Sequence, residues 1–236
     1  MTRALTATAT LLAVAAMTHA AGYSVPTLVD GTTPDLRGIW QARGSAYVNI
    51  EGHKGGGGLA AARSIVVDPA DGRIPYRPDA LQKRNENYRE RAQRDPANLC
   101  YQAGVPRATL LPRPFQIVQS PGNLAIVYED SHAYRIVYPD SRPHYTGVDW
   151  WMGDSRGHWE GSTLVVDVTT QNDYTWLDAA GNHHTNNIHV VERYTRIAPD
   201  RMIYEATIDD AAVYARPWTL RTTLHRDTQP GARIQE

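Results

Sequence analysis

The chain has 236 residues, a length that one β domain can fill, so a single domain is the first expectation. Its formal net charge is −1, with neither a basic field for nucleic acid nor an acidic tail. One cysteine, Cys100, excludes an internal disulfide; a small buried hydrophobe is its expected role.

The first 20 residues read as an export signal. Arg3 precedes an apolar, Ala-rich run from Leu5 to Met17, and Thr18-His19-Ala20 sets small residues at the outer positions of a cleavage site. The run is too short to span a bilayer as a mature helix. The expectation is a periplasmic or secreted protein occupying 21–236, with no transmembrane segment in the mature chain. Its oligomeric state is left open.

Strand patterning begins in 33–50, and Gly52 to Gly58 forms a flexible Gly-rich loop. Ser64 to Asp68 is a short strand stopped by Pro69. One surface helix is predicted over 79–94. Pro78-Asp79 starts it, Ala80, Leu81, Arg84, Tyr88 and Ala92 form its stripe, and Asp95-Pro96 ends it.

Strand then follows strand. Phe115–Gln119, Leu124–Glu129, Ala133–Tyr138, Thr163–Thr169, Asn187–Arg196, Arg201–Asp209 and Trp218–His225 are separated by turn residues. Such spacing predicts a mostly β, antiparallel barrel, with a β-sandwich as the alternative. Closure would hide sheet edges and enclose room for a small ligand. Gly38-Ile39-Trp40 is similar to the Gly-x-Trp on the first strand of lipocalin-like barrels.

Two segments carry candidate chemistry. In Asp154-Ser155-Arg156-Gly157-His158-Trp159-Glu160, a fixed Asp–Arg pair can hold a planar group or orient a base. The same pair can simply brace a loop. The second segment runs from Asp178 to Glu192 and contains His183, His184 and His189. Alternation from Asn187 puts His189 and Glu192 on opposite faces, so one of them is buried and needs a partner.

His189, Asp154 and His144 are the expected proton carriers, inside the barrel. Arg156, Trp151, Trp176, Asp178 and Glu192 are the expected substrate contacts. His183 and His184 are adjacent and diverge on a strand, so a metal held by His183, His184 and His189 is not expected. No dinucleotide, phosphate-loop or nucleophile-elbow motif occurs, and no cofactor is expected. The expected partner is a small, partly apolar molecule, and nucleic acid is not expected. It would be transformed by a lyase, isomerase or hydrolase, or else only bound. A third reading is an envelope module that binds a partner protein.

Several segments together resemble one widespread group of exported bacterial proteins without an assigned activity. They include Cys100 to Arg107, Pro112 to Gln119, Asp140 to His144 and Thr175 to Asp178. The most specific is Trp151-Met152-Gly153-Asp154-Ser155-Arg156-Gly157-His158-Trp159-Glu160-Gly161. The resemblance implies export and a shared architecture, but no reaction. Ser141 stands where the group has Gly, and a second Cys after the last strand is lacking.

Overall fold

A computed structural model describes residues 23–139 and 142–235. The expected signal segment, Asp140 and Ser141 lie outside the described residues.

Nine strands close into a barrel. They are β1 (Gly38–Ala42), β5 (Phe115–Ser120), β6 (Asn123–Tyr128), β7 (Tyr134–Tyr138), β8 (Asp154–Glu160), β9 (Thr163–Thr169), β10 (His189–Ala198), β11 (Arg201–Asp209) and β12 (Trp218–Arg226). β2 (Gly52–His53) and β3 (Ala62–Arg63) make a separate small hairpin within and beyond the Gly-rich loop, and β4 (Val66–Asp68) adds to the outer side of β12.

Closure comes from β1 pairing with β12, Trp40 opposite Arg226. A sheet that returns to its first strand is a barrel, so the lipocalin-like expectation holds and the sandwich is set aside. One joint corrects the antiparallel reading. β7 and β8 run parallel and pair only through Val137–Ser155 and Tyr138–Arg156. The reason is the connection: β7 and β8 are not joined by a hairpin turn, which would have reversed the chain.

The core follows period two. Leu164, Val166 and Val168 of β9, Val190 and Tyr194 of β10, and Met202, Tyr204, Ala206 and Ile208 of β11 all face inward. Trp40 is fully buried, and its indole N–H donates to Leu36 O at 2.9 Å. The Arg196 guanidinium lies 5.8 Å over the same ring and donates to Asp35 O and Pro199 O, closing that end of the barrel.

The helix occupies Pro78–Arg89 (α1), breaks at Glu90 and resumes over Arg91–Arg94 (α2). Its expected stripe is corrected. Leu81 and Tyr88 are exposed, whereas Ala80 and Asn87 are buried. The packing face is polar: Asn87 donates to Gly181 O at 3.2 Å and Arg84 reaches Asn182 Oδ1 at 3.4 Å. Asp95 then caps the following turn and takes both Arg107 Nη atoms at 2.7 and 2.8 Å in a buried pair. Arg107 opens a short helix, α3 (Arg107–Leu110). Cys100 is exposed, against the buried role expected of it, because it ends a turn in the left-handed conformation on the surface.

Among the described residues no helix is long and apolar enough to cross a membrane.

Candidate functional site

Alternation sorts the ionisable groups by face. On β9, Asp167 lies between the inward Val166 and Val168, so it points out of the barrel. Arg156 is opposite Asp167, and Asp154 is opposite Thr169, so both share that outer face. On β10, Glu192 is inside and fully buried, while His189 is outside and half-exposed.

The expected proton carriers therefore do meet, but outside the wall. His144 Nδ1 lies 2.8 Å from Asp154 Oδ2, and its Nε2 lies 3.0 Å from Asp167 Oδ1. His189 Nε2 is 3.0 Å from the same Asp167 Oδ1. Arg156 Nε donates to Asp154 Oδ2 at 3.0 Å, as does Tyr145 N–H at 3.3 Å. Asp154–His144–Asp167–His189 is thus an unbroken hydrogen-bonded chain across β8, β9 and β10. The crossover loop carrying His144 covers it.

The loop shelters this chain unevenly. Asp154 is 4% exposed at its side chain, whereas Asp167 and His189 are about 40% exposed (39% and 43%). The His189 imidazole beside Asp167 holds that carboxyl below its usual range, and Asp167 in turn raises His189. Both His144 nitrogens face carboxylate oxygens, and the ring donates to both only when it carries both protons. The Arg156 guanidinium sits between two rings, 4.8 Å from Tyr138 and 5.2 Å from Tyr145.

Inside the barrel stands a different cluster, which sequence reasoning missed. Arg135 Nη1 lies 2.5 Å from Glu192 Oε2, and its Nη2 donates to Tyr194 OH at 2.8 Å. Tyr194 and Tyr204 both donate to Glu192 Oε1, at 2.9 and 2.7 Å. Burial, then the Glu192 charge, push both phenols well above their ordinary value, so they stay neutral donors. Arg135 Nε is buried without a partner.

Between the two clusters the wall opens. β7 and β8 diverge after two pairs, and a pocket of about 430 Å³ occupies the split. The rings of Tyr134, Tyr138, Tyr145, Trp150 and Trp151 line it, together with Arg135 and Asp154. Arg135 belongs to the interior network and Asp154 to the outer chain, so the pocket touches both. Gly157 makes the two-pair seam possible: a Cβ there would lie 2.6 Å from Val137 Cγ1 across it.

Other expected contacts are elsewhere. Trp176 is buried within the loop 170–188, bridged to His183. Asp178 is fully buried and organises that loop, accepting from Ile50 N, Ala180 N and Asn182. Burial pushes its carboxyl up to about 6 despite these donors. Glu192 lies beyond the pocket, behind Arg135. Of the five expected substrate contacts only Trp151 lines the pocket, with Arg156 one residue pair away.

His183 stacks on Tyr76, and burial takes its imidazole down to about 4. His184 is buried, with Nδ1 donating to Thr185 O and Nε2 accepting from Thr175 and Gln171. With His189 on the barrel wall, the three imidazoles do not converge. Among the described residues no group of His, Cys, Asp and Glu is arranged to hold a metal ion.

Tyr134-Arg135-Ile136-Val137-Tyr138 did carry a signal of the missed cluster. Its alternation puts Arg135 on the inward face with Val137 and sets rings facing out, an inverted polarity that marks a buried charge. Asp167, between two inward valines, was likewise readable as outward. Its pairing with two histidines depended on register.

No protein-family model, characterised protein or solved structure matches the chain.

Proposed function

We propose that the chain is an exported protein that binds a small, partly apolar molecule in the pocket at the β7–β8 seam. The observation that carries this reading is the pocket's composition. Five tyrosine and tryptophan rings, three of them (Tyr134, Tyr145 and Trp150) open to solvent at the rim, surround space of about 430 Å³ that is also lined by the buried residues Asp154 and Arg135. Rings supply flat apolar contact, and a few fixed polar groups orient what they hold.

A second reading is acid–base turnover of the same ligand. The unbroken chain from Asp154 through His144 and Asp167 to His189 favours it, since it joins the pocket to a half-exposed imidazole that can exchange protons with water. Binding ranks first because Asp154 Oδ2 already accepts from His144, Arg156 and Tyr145. That leaves this oxygen little capacity for a substrate proton.

The test is a titration of small aromatic compounds followed by tryptophan fluorescence. Trp150 and Trp151 report occupancy, and Trp151→Ala reduces the signal and weakens binding about tenfold or more. Ligand recovered intact after long incubation supports binding alone. Conversion that disappears in His144→Ala supports turnover. Affinity unchanged in both Trp151→Ala and Tyr138→Ala overturns the assignment of the site. Export is checked by N-terminal sequencing of protein from the periplasmic fraction, with a start near Ala21 expected.

A further inference from the structure

β7 carries an open edge at the pocket. Tyr128 N–H donates to Ala133 O at 2.8 Å, so on the β6 side the hydrogen-bonded pairs fall at Arg135 and Val137. The backbone groups of Tyr134 and Ile136 point the other way, toward β8. β8 meets β7 only from the pair Val137–Ser155 onward. The N–H groups of Tyr134 and Ile136 and the Tyr134 carbonyl therefore have no strand to pair with, and no other partner among the described residues. Both residues line the pocket, and they are 65% and 46% exposed.

Nothing on this edge deters pairing. Exposed edges are commonly blunted by Lys, Pro or an unpaired inward charge. Here the outward side chains are Tyr134 and Ile136, and the one charge, Arg135, is turned inward and already paired with Glu192. An edge so built takes up an extended chain: main-chain bonds supply affinity, and side chains at alternate positions supply specificity.

Resting on the binding role proposed above, we infer that the ligand is a short extended peptide that adds to β7 as a strand at Tyr134–Ile136. The free stretch is two residue rises, about 7 Å, which about three residues of an added strand match. The first and third stand outward, opposite Tyr134 and Ile136, and take apolar or aromatic side chains. The exposed rings of Tyr134, Tyr145 and Trp150 offer them contact. The middle residue, opposite Arg135, turns toward the filled interior and must be small.

The probe is acetyl-Phe-Ala-Phe-amide, which has that pattern and no charge, with indole as an aromatic compound that has no main chain. Calorimetry on the whole purified protein gives both affinities, and amide exchange followed by NMR reads the contact. At saturating peptide, exchange at Tyr134 and Ile136 is expected to slow about tenfold or more, and by more than at Arg135 and Val137, which already donate to β6. Indole leaves Tyr134 and Ile136 unchanged. Peptide binding without this selective slowing overturns strand addition and leaves the pocket standing. Indole bound and peptide not bound does the same. If neither binds, the pocket assignment falls and this inference with it. Ile136→Pro removes an N–H that β6 does not use, and is expected to weaken the peptide about fivefold or more with indole affinity kept. Equal peptide affinity in that variant overturns the role of the edge. If Ile136→Pro does not fold, the exchange pattern of the wild-type protein decides alone.

Discussion

Glu192 and Arg135 show how one residue's partner sets its value. Two full charges inside a barrel are stable only as a hydrogen-bonded pair, here with Tyr194 and Tyr204 completing the shell. Glu192→Leu leaves the guanidinium buried and unpaired, and should cost about 3–5 kcal/mol in urea unfolding. The double variant Arg135→Met with Glu192→Leu should cost markedly less than the two single losses together, because neither charge is then stranded. Outside the wall, Asp167 and His189 give a pH dependence of opposite origin. The raised His189 contributes stability that is fully present below its unfolded value of 6.5 and is lost as pH rises through its higher folded value. The lowered Asp167 contributes stability that is present above 3.8 and is lost as pH falls through its lower folded value. The stability difference between wild type and Asp167→Asn should therefore peak between about 4 and 6.5 and shrink on both sides. Solvent reaches both groups, so the peak should be no more than about 1 kcal/mol. Urea midpoints measured across pH 3 to 8 check it; a difference flat in pH would mean that the pair does not titrate together.

At the scale of elements, α1 and the loop 170–188 depend on each other. Gly181 adopts φ +81°, and a Cβ there would meet Asn87 Cβ at 2.7 Å and Tyr88 N at 2.8 Å. The helix lies directly on that glycine, with Asn87 bonded to its carbonyl. Gly181→Ala combines a left-handed alanine with a backbone clash, and should cost about 2 kcal/mol or more. Limited proteolysis should then cut within 78–99 first, while the barrel resists. The helix was legible in the sequence because Pro78 and Asp95-Pro96 mark its ends. Its inward face was not. Periodicity favours apolar residues for burial, so Leu81 and Tyr88 read as the stripe. Asn87 is buried instead, because the surface it meets offers a backbone carbonyl, and nothing local to the helix reports that. The same limit applied to the site. Which face of β10 is inward was a choice of two in the sequence, and the fully buried Glu192 settled it. That choice moved every proton carrier from the interior to the outer wall.

For the whole molecule, most strands and the closure were legible because strands and turns are local, and a closed ring is the physical answer to many edges; β8 (Asp154–Glu160) was not read as a strand, because its charged and polar residues mask the alternation. The parallel joint was not legible either, because a crossover between β7 and β8 and a long hairpin look alike in composition. That joint decides where the barrel is weakest. β10 and β11 are joined through nine paired residues, and β7 and β8 through two. Amides of β7 should accordingly exchange with solvent far faster than those of β10 and β11, since local opening follows the poorest pairing. Gly157→Ala tests whether the seam opens by itself. The new methyl would overlap Val137 Cγ1, so β7 and β8 must part. Protection at β7 should fall about tenfold or more while β10 and β11 keep theirs, and adding Val137→Ala should restore it by returning the space. If Gly157→Ala lowers protection equally in every strand, the barrel opens only as a unit. The seam would then not be a separate gate, and a ligand would have to enter the pocket through its static rim of rings.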